Sequence, residues 1–581
     1  MRNSQSLIEV LFIILFLSGI PYSLPAADKL NNPPSFDHET RAVWVATNHR
    51  LDWPPNSFDA DIQKEALSEI FSNIKSKFLN TIYFQVRSNG TVMFKSTLDP
   101  YSPYITGRVN GEPEYDPLQY AVELAHKKGL EIHAWVNCLN VFAGNESNIF
   151  KSPDHISRRK PEWIIEYSAD GSNSLWLDPG LPEVREYVSD LITEMVENYD
   201  IDGVHLDYIR YPGREVDDDF SFGIYGNGMN LDDWRRKNIT ELIGLINKKI
   251  KEIKPYVKLG ATPIGVYKNQ KGMYALEGFS DVYQDSHEWL SSGIVDYVTP
   301  QIYWGLHNNP RFDIVAKDWA DNSSGRNVVL GIGAYKDNIK NEIGQLIQYS
   351  RTIGASGIAF YRYSSIKNYD FKNFSYRTFP AEMVWLDGIN PSAPTNLEYK
   401  IDRTNQNVIT LNWDISNSKS KDTVKYYALY NLPAADSQIK PDYLFDIISS
   451  DKSSVALAVK PKKINYFFTL KSVSKLWNES VESSNTIEVK FNKMSSLANL
   501  DDWGQNPMLL KETDRSAKIL LYSANEDTIE IVGDDGIKQQ GLLTEELHKG
   551  KNIISLSADL SKFKLIKIIY ESSKREVELK L

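Results

Sequence analysis

The segment DGVHLDYIRYPG, residues 202–213, places a carboxylate at the end of an apolar run and then breaks into a polar loop. Side chains alternate along a strand, so Val204 and Leu206 share one face while His205, Asp207 and Ile209 share the other. A carboxyl at a strand end can serve as general acid or nucleophile; Asp207 is the first catalytic candidate. Asp202 lies roughly 16 Å down the same strand at ~3.3 Å per residue, too deep to cooperate with it. Asp296 opens its own run, with a parity different from that of Gln301 and Tyr303. The run VKLGATP (257–263) ends in Thr262 and Pro263 without an acid, so Asp285 or Glu288, in the later QDSHEW, is left to supply a second carboxylate. Asp285 is the second candidate, its structural alternative being a helix N-cap. Whichever acts as acid at neutral pH needs a raised pKa, which burial against Tyr303 and Trp304 would supply.

Neighbouring runs carry polar and aromatic residues at matching positions: Gln85 and Arg87; His133, Trp135 and Asn137; Gln301 and Tyr303; Tyr361 and Tyr363. Barrel interiors are usually filled by branched apolar side chains, so these residues, with His205 and Trp304, are expected to bind substrate. His133, His205 and Asp207 raise the question of a metal. No HxH or HxxE spacing supports one, and neutral, hydrogen-bonding histidines are expected, with no metal and no cofactor. The single cysteine, Cys138, has the opposite parity from His133, Trp135 and Asn137, which marks it as a packed side chain.

The elements that must hold these groups alternate. Eight strand-like runs (41–47, 80–87, 130–137, 202–209, 257–263, 295–303, 328–334 and 357–363) are separated by helix-period stretches such as 62–78, 182–199, 231–254 and 341–353. Eight βα units predict a (β/α)8 barrel, of α/β class, over residues 36–387, with its chemistry at the C-terminal rim. A Pro and Ser linker follows, then alternating β-rich sequence. It predicts two small all-β domains, 391–491 and 493–581.

The chain has 581 residues, 41% hydrophobic and 24% charged, as in a globular protein, and a net charge of −11 that disfavours nucleic acid as a partner. Arg2, the apolar run from Leu7 to Ile20 and the pair Ala26–Ala27 predict a signal peptide over 1–27, hence export without a membrane span. No cysteine near the cleavage point could carry a lipid, and one cysteine allows no internal disulfide.

Taken in order, RAVWVAT with Asp52-Trp53-Pro54, FQVRSNG, DPYSPYITG, IHAWVN, WLDPGLPEVREYV, DGVHLDYIRYP, TPIGVYKN, QDSHEW and VDYVTPQIYW resemble the glycosyl hydrolase-like ten family over nearly all of 38–385. The resemblance implies a polysaccharide hydrolase outside the cytoplasm; one branch cuts peptidoglycan glycan strands stripped of peptides. Two positions depart from the family pattern: Tyr208 stands where a second Asp is commoner, and Asp178 where Asn is frequent. The layout is also similar to family-eighteen chitinases, but Ile209 replaces their acid Glu. Residues 391–490 resemble a fibronectin type III domain through Trp413, Tyr427, Phe467 and Phe468. Two rival readings follow from the missing strand-five acid and from the histidines: a barrel that binds glycan without cleaving it, and a metal-dependent carbohydrate deacetylase or esterase.

Overall fold

The computed structural model describes residues 38–144, 151–169, 171–386, 390–401, 408–415, 424–458, 465–490, 508–513, 515–523, 526–548, 550–573 and 576–581. The expected signal peptide lies outside them. They fall into two compact units divided at Val489 and Lys490.

The first unit is built on eight parallel strands: β1 (Thr40–Val45), β2 (Thr81–Ser88), β3 (Glu131–Asn137), β4 (Gly203–Asp207), β5 (Lys258–Ala261), β6 (Tyr297–Val298, resumed at Gln301–Ile302), β7 (Asn327–Ile332) and β8 (Gly357–Phe360). Each pairs with the next, and β8 pairs with β1, which closes a (β/α)8 barrel. Helices α1 (Ala60–Ser76), α2 (Pro117–Lys127), α3 (Pro182–Asn198), α4 (Leu231–Ile253), α5 (Ser286–Ser291), α6 (Phe312–Asp321) and α7 (Asp337–Thr352) lie between strands. Helix α1 starts where Asp59 accepts the Ile62 N–H at 2.9 Å, and it buries Leu67, Ile70, Phe71 and Ile74, one face at helical spacing. The outward side chains of the strands, such as Val43, Ile82, Phe84 and Val204, join that helical layer in one core.

The inward faces form a second core of Ala42, Trp44, Tyr83, Trp135, Tyr297, Val329 and Ala359. Gly260 must be glycine here, because a Cβ would lie 2.0 Å from the Tyr297 ring. Beyond β3 the chain forms a small antiparallel sheet (Asn140–Ala143, Ile164–Ala169 and Ser172–Leu177) that carries Trp176 toward the strand ends.

After the barrel, two antiparallel sheets face one another. One holds Thr395–Ile401, Val408–Asp414 and Ser454–Ala458; the other holds Leu444–Ser449, Tyr426–Leu432, Asn465–Val473 and Ile487–Lys490. Trp413 and Tyr427 meet between them with ring centroids 5.3 Å apart. This β-module is fixed to the lower end of the barrel. Trp477 is fully buried, stacks on Tyr426 at 4.8 Å, and donates its indole N–H to Glu131 Oε2 at 2.6 Å.

The second unit, considered by itself, has a three-stranded sheet (Met508–Thr513, Ser516–Ser523, Gly550–Ser557) and a four-stranded one (Gln539–Leu547, Asp527–Asp534, Leu565–Tyr570, Glu576–Lys580). Its core includes Ile519, Ile531, Ile554 and Ile568. Among the described residues no helix is long and apolar enough to cross a membrane.

Candidate active site

At the C-terminal ends of the strands lies a cavity of about 250 Å³. It is lined from β1 by Trp44, from β2 by Gln85, from β3 by Trp135 and Asn137, from β4 by Asp207, and from the last strands by Gln301, Tyr303 and Tyr361. Seven of the expected site residues therefore meet in one place. The register explains it: Gln85 lies opposite Trp135 across β2 and β3, and Asn137 lies opposite Asp207 across β3 and β4.

Asp207 is only 8% exposed. Its Oδ2 accepts the Trp135 indole N–H at 3.1 Å, and its Oδ1 accepts the Tyr208 backbone N–H at 2.7 Å and the Gln301 amide at 3.4 Å. Burial raises its pKa to about 6, outweighing those donors and the Arg210 guanidinium, which favour the charged form. Gln85 is held in turn. Its Oε1 accepts the Thr47 and Asn48 N–H groups at 3.0 and 2.9 Å, and its amide nitrogen donates to Asn137 Oδ1 at 3.3 Å.

His133 and His205 sit below the cavity, inside the barrel. The Trp44 indole N–H donates to His205 Nε2 at 3.1 Å, so the His205 proton is on Nδ1 and is directed to Tyr297 Oη at 3.0 Å. The Tyr297 hydroxyl can then donate to His133 Nδ1 at 2.6 Å, and His133 Nε2 reaches Glu131. Burial pushes His205 well below the usual imidazole range, with His133 adding to the effect, so it is neutral. Burial alone would raise Glu131, but the Lys258 ammonium, 2.8 Å away, and His133 hold its carboxyl below the usual carboxylate range. Both histidines lie beneath the cavity and are not among the residues that line it. Among the described residues no group of three His, Cys, Asp or Glu could hold a metal ion.

Three other expected residues stand apart from the cavity. A bulge between Gln85 and Arg87 puts Arg87 opposite Val136, on the outward-facing parity of β3. There it pairs with Asp99 at 2.8 Å and donates to the carbonyls of Asn137 and Cys138, bracing the rim from behind. Asp285 stands at the N-cap position of α5 without making a capping bond, and its carboxylate accepts the Tyr267 hydroxyl at 2.8 Å. Gln284, not Asp285, is turned toward the barrel, bonded to Ile264 N and Ile209 O at 2.9 and 3.3 Å. Trp304 packs half-buried against the outer core.

Sequence reasoning missed Trp44, Tyr208, Arg210 and Tyr335. Trp44 was legible, because it alternates with Ala42 and Ala46 on β1. Tyr208 was not, because its φ of 48° ends the strand and turns both it and Arg210 to the cavity, against strand parity. The Arg210 guanidinium lies 5.0 Å from the buried Trp176 ring and 5.3 Å from the Tyr208 ring, which hold it at the cavity edge. Tyr303 and Tyr361 stack at 5.6 Å, and Tyr335, 50% exposed, meets both edge-on at 6.1 and 6.0 Å. A cavity that combines a buried carboxylic acid with aromatic rings can bind sugar rings and protonate a glycosidic oxygen.

Known proteins agree with that chemistry. The model of the glycosyl hydrolase-like 10 family matches residues 39–351. The chain is 31% identical to the glycosyl hydrolase YngK of Bacillus subtilis over 514 residues, 82% of this chain and 97% of that one. It is also 31% identical to the glycosyl hydrolase DigH of Escherichia coli K12 over 345 residues, 54% of this chain and 79% of that one. With the closed barrel and the rim carboxyl, these matches show that the chain is a glycoside hydrolase and belongs to the glycosyl hydrolase-like 10 family.

Proposed function

We propose that the chain is exported and cuts glycosidic bonds of peptide-free peptidoglycan strands at the C-terminal rim of its barrel, with Asp207 as the catalytic acid. The observation that carries the reading is the placement of Asp207: a buried carboxyl with a pKa near 6, lining the rim cavity together with the aromatic rings of Trp44, Trp135, Tyr208, Tyr303 and Tyr361. Export is supported by the sequence of residues 1–27, and the choice of glycan by the resemblance of the barrel motifs. The test is mass spectrometry of peptide-free glycan strands incubated with residues 28–581 and, in parallel, with Asp207→Asn. Oligosaccharides from the wild type alone are expected. Equal cleavage by the variant would remove Asp207 from the mechanism, and intact strands in both tubes would remove this substrate.

A further inference from the structure

Glycoside hydrolysis normally uses two carboxyl groups, about 5–9.5 Å apart across the scissile bond. Among the described residues, Asp207 is the one carboxylate that lines the cavity. The other acids near the rim are engaged elsewhere. Asp52, after β1, has no exposed side-chain surface: its Oδ2 accepts the Ala46 N–H at 2.9 Å, and its Oδ1 accepts the Ser364 N–H at 2.9 Å and faces Arg362 at 3.3 Å. Asp178 accepts the Gly180 N–H at 2.8 Å, outside the cavity lining, and Asp285 holds Tyr267. Around Asp207 stand the Arg210 guanidinium, which also lines the cavity, and neutral groups: the amides of Asn137 and Gln301, and the phenols of Tyr303 and Tyr361. A cavity with one acid, a guanidinium and neutral donors, but no second carboxylate among the described lining residues, can protonate a leaving group. It cannot by itself supply the attacking oxygen or the base.

We infer that the substrate supplies the nucleophile, and that the cavity takes a sugar bearing a 2-acetamido group. This rests on the hydrolase reading above and gives the 2-acetamido group of the proposed strands a part in the reaction at that site. The amide carbonyl oxygen attacks the anomeric carbon of its own ring as the glycosidic C–O bond breaks. The bond's electron pair leaves with the glycosidic oxygen, which takes the Asp207 proton. The products of this step are a shortened glycan, a bicyclic oxazolinium ion and the Asp207 carboxylate. Water then attacks the anomeric carbon and gives a proton to Asp207, while the oxazolinium C–O bond returns its pair to the amide. The anomeric configuration is retained, and Asp207 serves as acid and then as base. The cation that forms is paired with the Asp207 carboxylate generated in the same step, and that carboxylate is itself favoured by the Arg210 guanidinium.

The experiment uses residues 28–581 with three probes: peptide-free glycan strands, the same strands after chemical de-N-acetylation, and the thiazoline of N-acetylglucosamine, a stable mimic of the bicyclic ion. The expected results are cleavage of the acetylated strand with retention, kcat lower by about 100-fold or more on the de-N-acetylated strand, and thiazoline binding about 100-fold tighter than N-acetylglucosamine. Glu146, outside the described residues, is tested as Glu146→Gln, which is expected to keep wild-type kcat. Equal rates on both strands, inversion, or a Glu146→Gln loss as deep as that of Asp207→Asn would overturn the inference. Failure of the peptidoglycan reading looks different. The acetylated strand stays intact while the thiazoline still binds tightly by calorimetry; weak thiazoline binding there would sink the inference as well.

Discussion

Asp207 is expected to control both rate and stability, with opposite preferences for charge. As the acid it must carry its proton, so kcat/KM of the wild type should fall as pH rises through about 6, and Asp207→Asn should lower kcat by about 100-fold or more. The sign for stability follows from the same raised pKa. The folded state holds the proton more tightly than the unfolded chain, so this group's contribution is fully present below about pH 4 and is lost as pH rises through about 6. The loss is up to about 3 kcal/mol, so Asp207→Asn should melt higher than wild type at pH 7.5, with the gap closing near pH 4. A lower melting temperature at pH 7.5 would contradict the burial cost. Tyr335 touches the stacked Tyr303–Tyr361 pair and presents half its surface to solvent. Tyr335→Ala is expected to raise KM for long strands several-fold, about 1 kcal/mol, with kcat nearly unchanged; initial rates on strands of graded length check it. Where strand parity held, as at Gln85, Asn137, Asp207 and Tyr303, the site was legible from sequence. It failed at Arg87, where a bulge inserts one residue, and at Tyr208, where a left-handed φ ends the alternation. Neither irregularity has a local signature in residue type.

The eight predicted strand runs coincide with β1–β8 to within a few residues, because long apolar runs between amphipathic helices admit few other arrangements. The interruption of β6 between Val298 and Gln301 was not legible, although Pro300 in that gap offers the reason: it cannot donate to a sheet. Also unforeseen was the use of the β-module's Trp477 as a partner for Glu131 on β3. A distant aromatic carries no sign of the carboxylate it will meet. The Glu131 carboxylate accepts from Lys258, His133 and Trp477, all buried. Lys258→Met leaves that charge without its cation and should cost about 3–5 kcal/mol. Trp477→Phe removes one donor and should cost about 1–3 kcal/mol. Urea denaturation monitored by circular dichroism checks both, and a Lys258→Met variant as stable as wild type would show the ion pair to be dispensable.

The barrel and the first β-module share one compact unit, and residues from Lys490 onward form another. A chain ending at Val489 is therefore expected to keep kcat on short strands and the main thermal transition of the full protein, with the loss confined to a separate calorimetric transition. Loss of the main transition would place part of the barrel's stability beyond Val489. Composition and linker sequence announced β-modules after the barrel, but they could not show that the first one closes its lower end. That closure has a consequence in time. Domains fold largely in the order in which the ribosome releases them, and all eight barrel strands, ending at Phe360, emerge well before Trp477. For that interval the newborn barrel has an open, wet floor at Glu131 and Lys258. Its completion runs backwards along the chain, the later-made module finishing the earlier one.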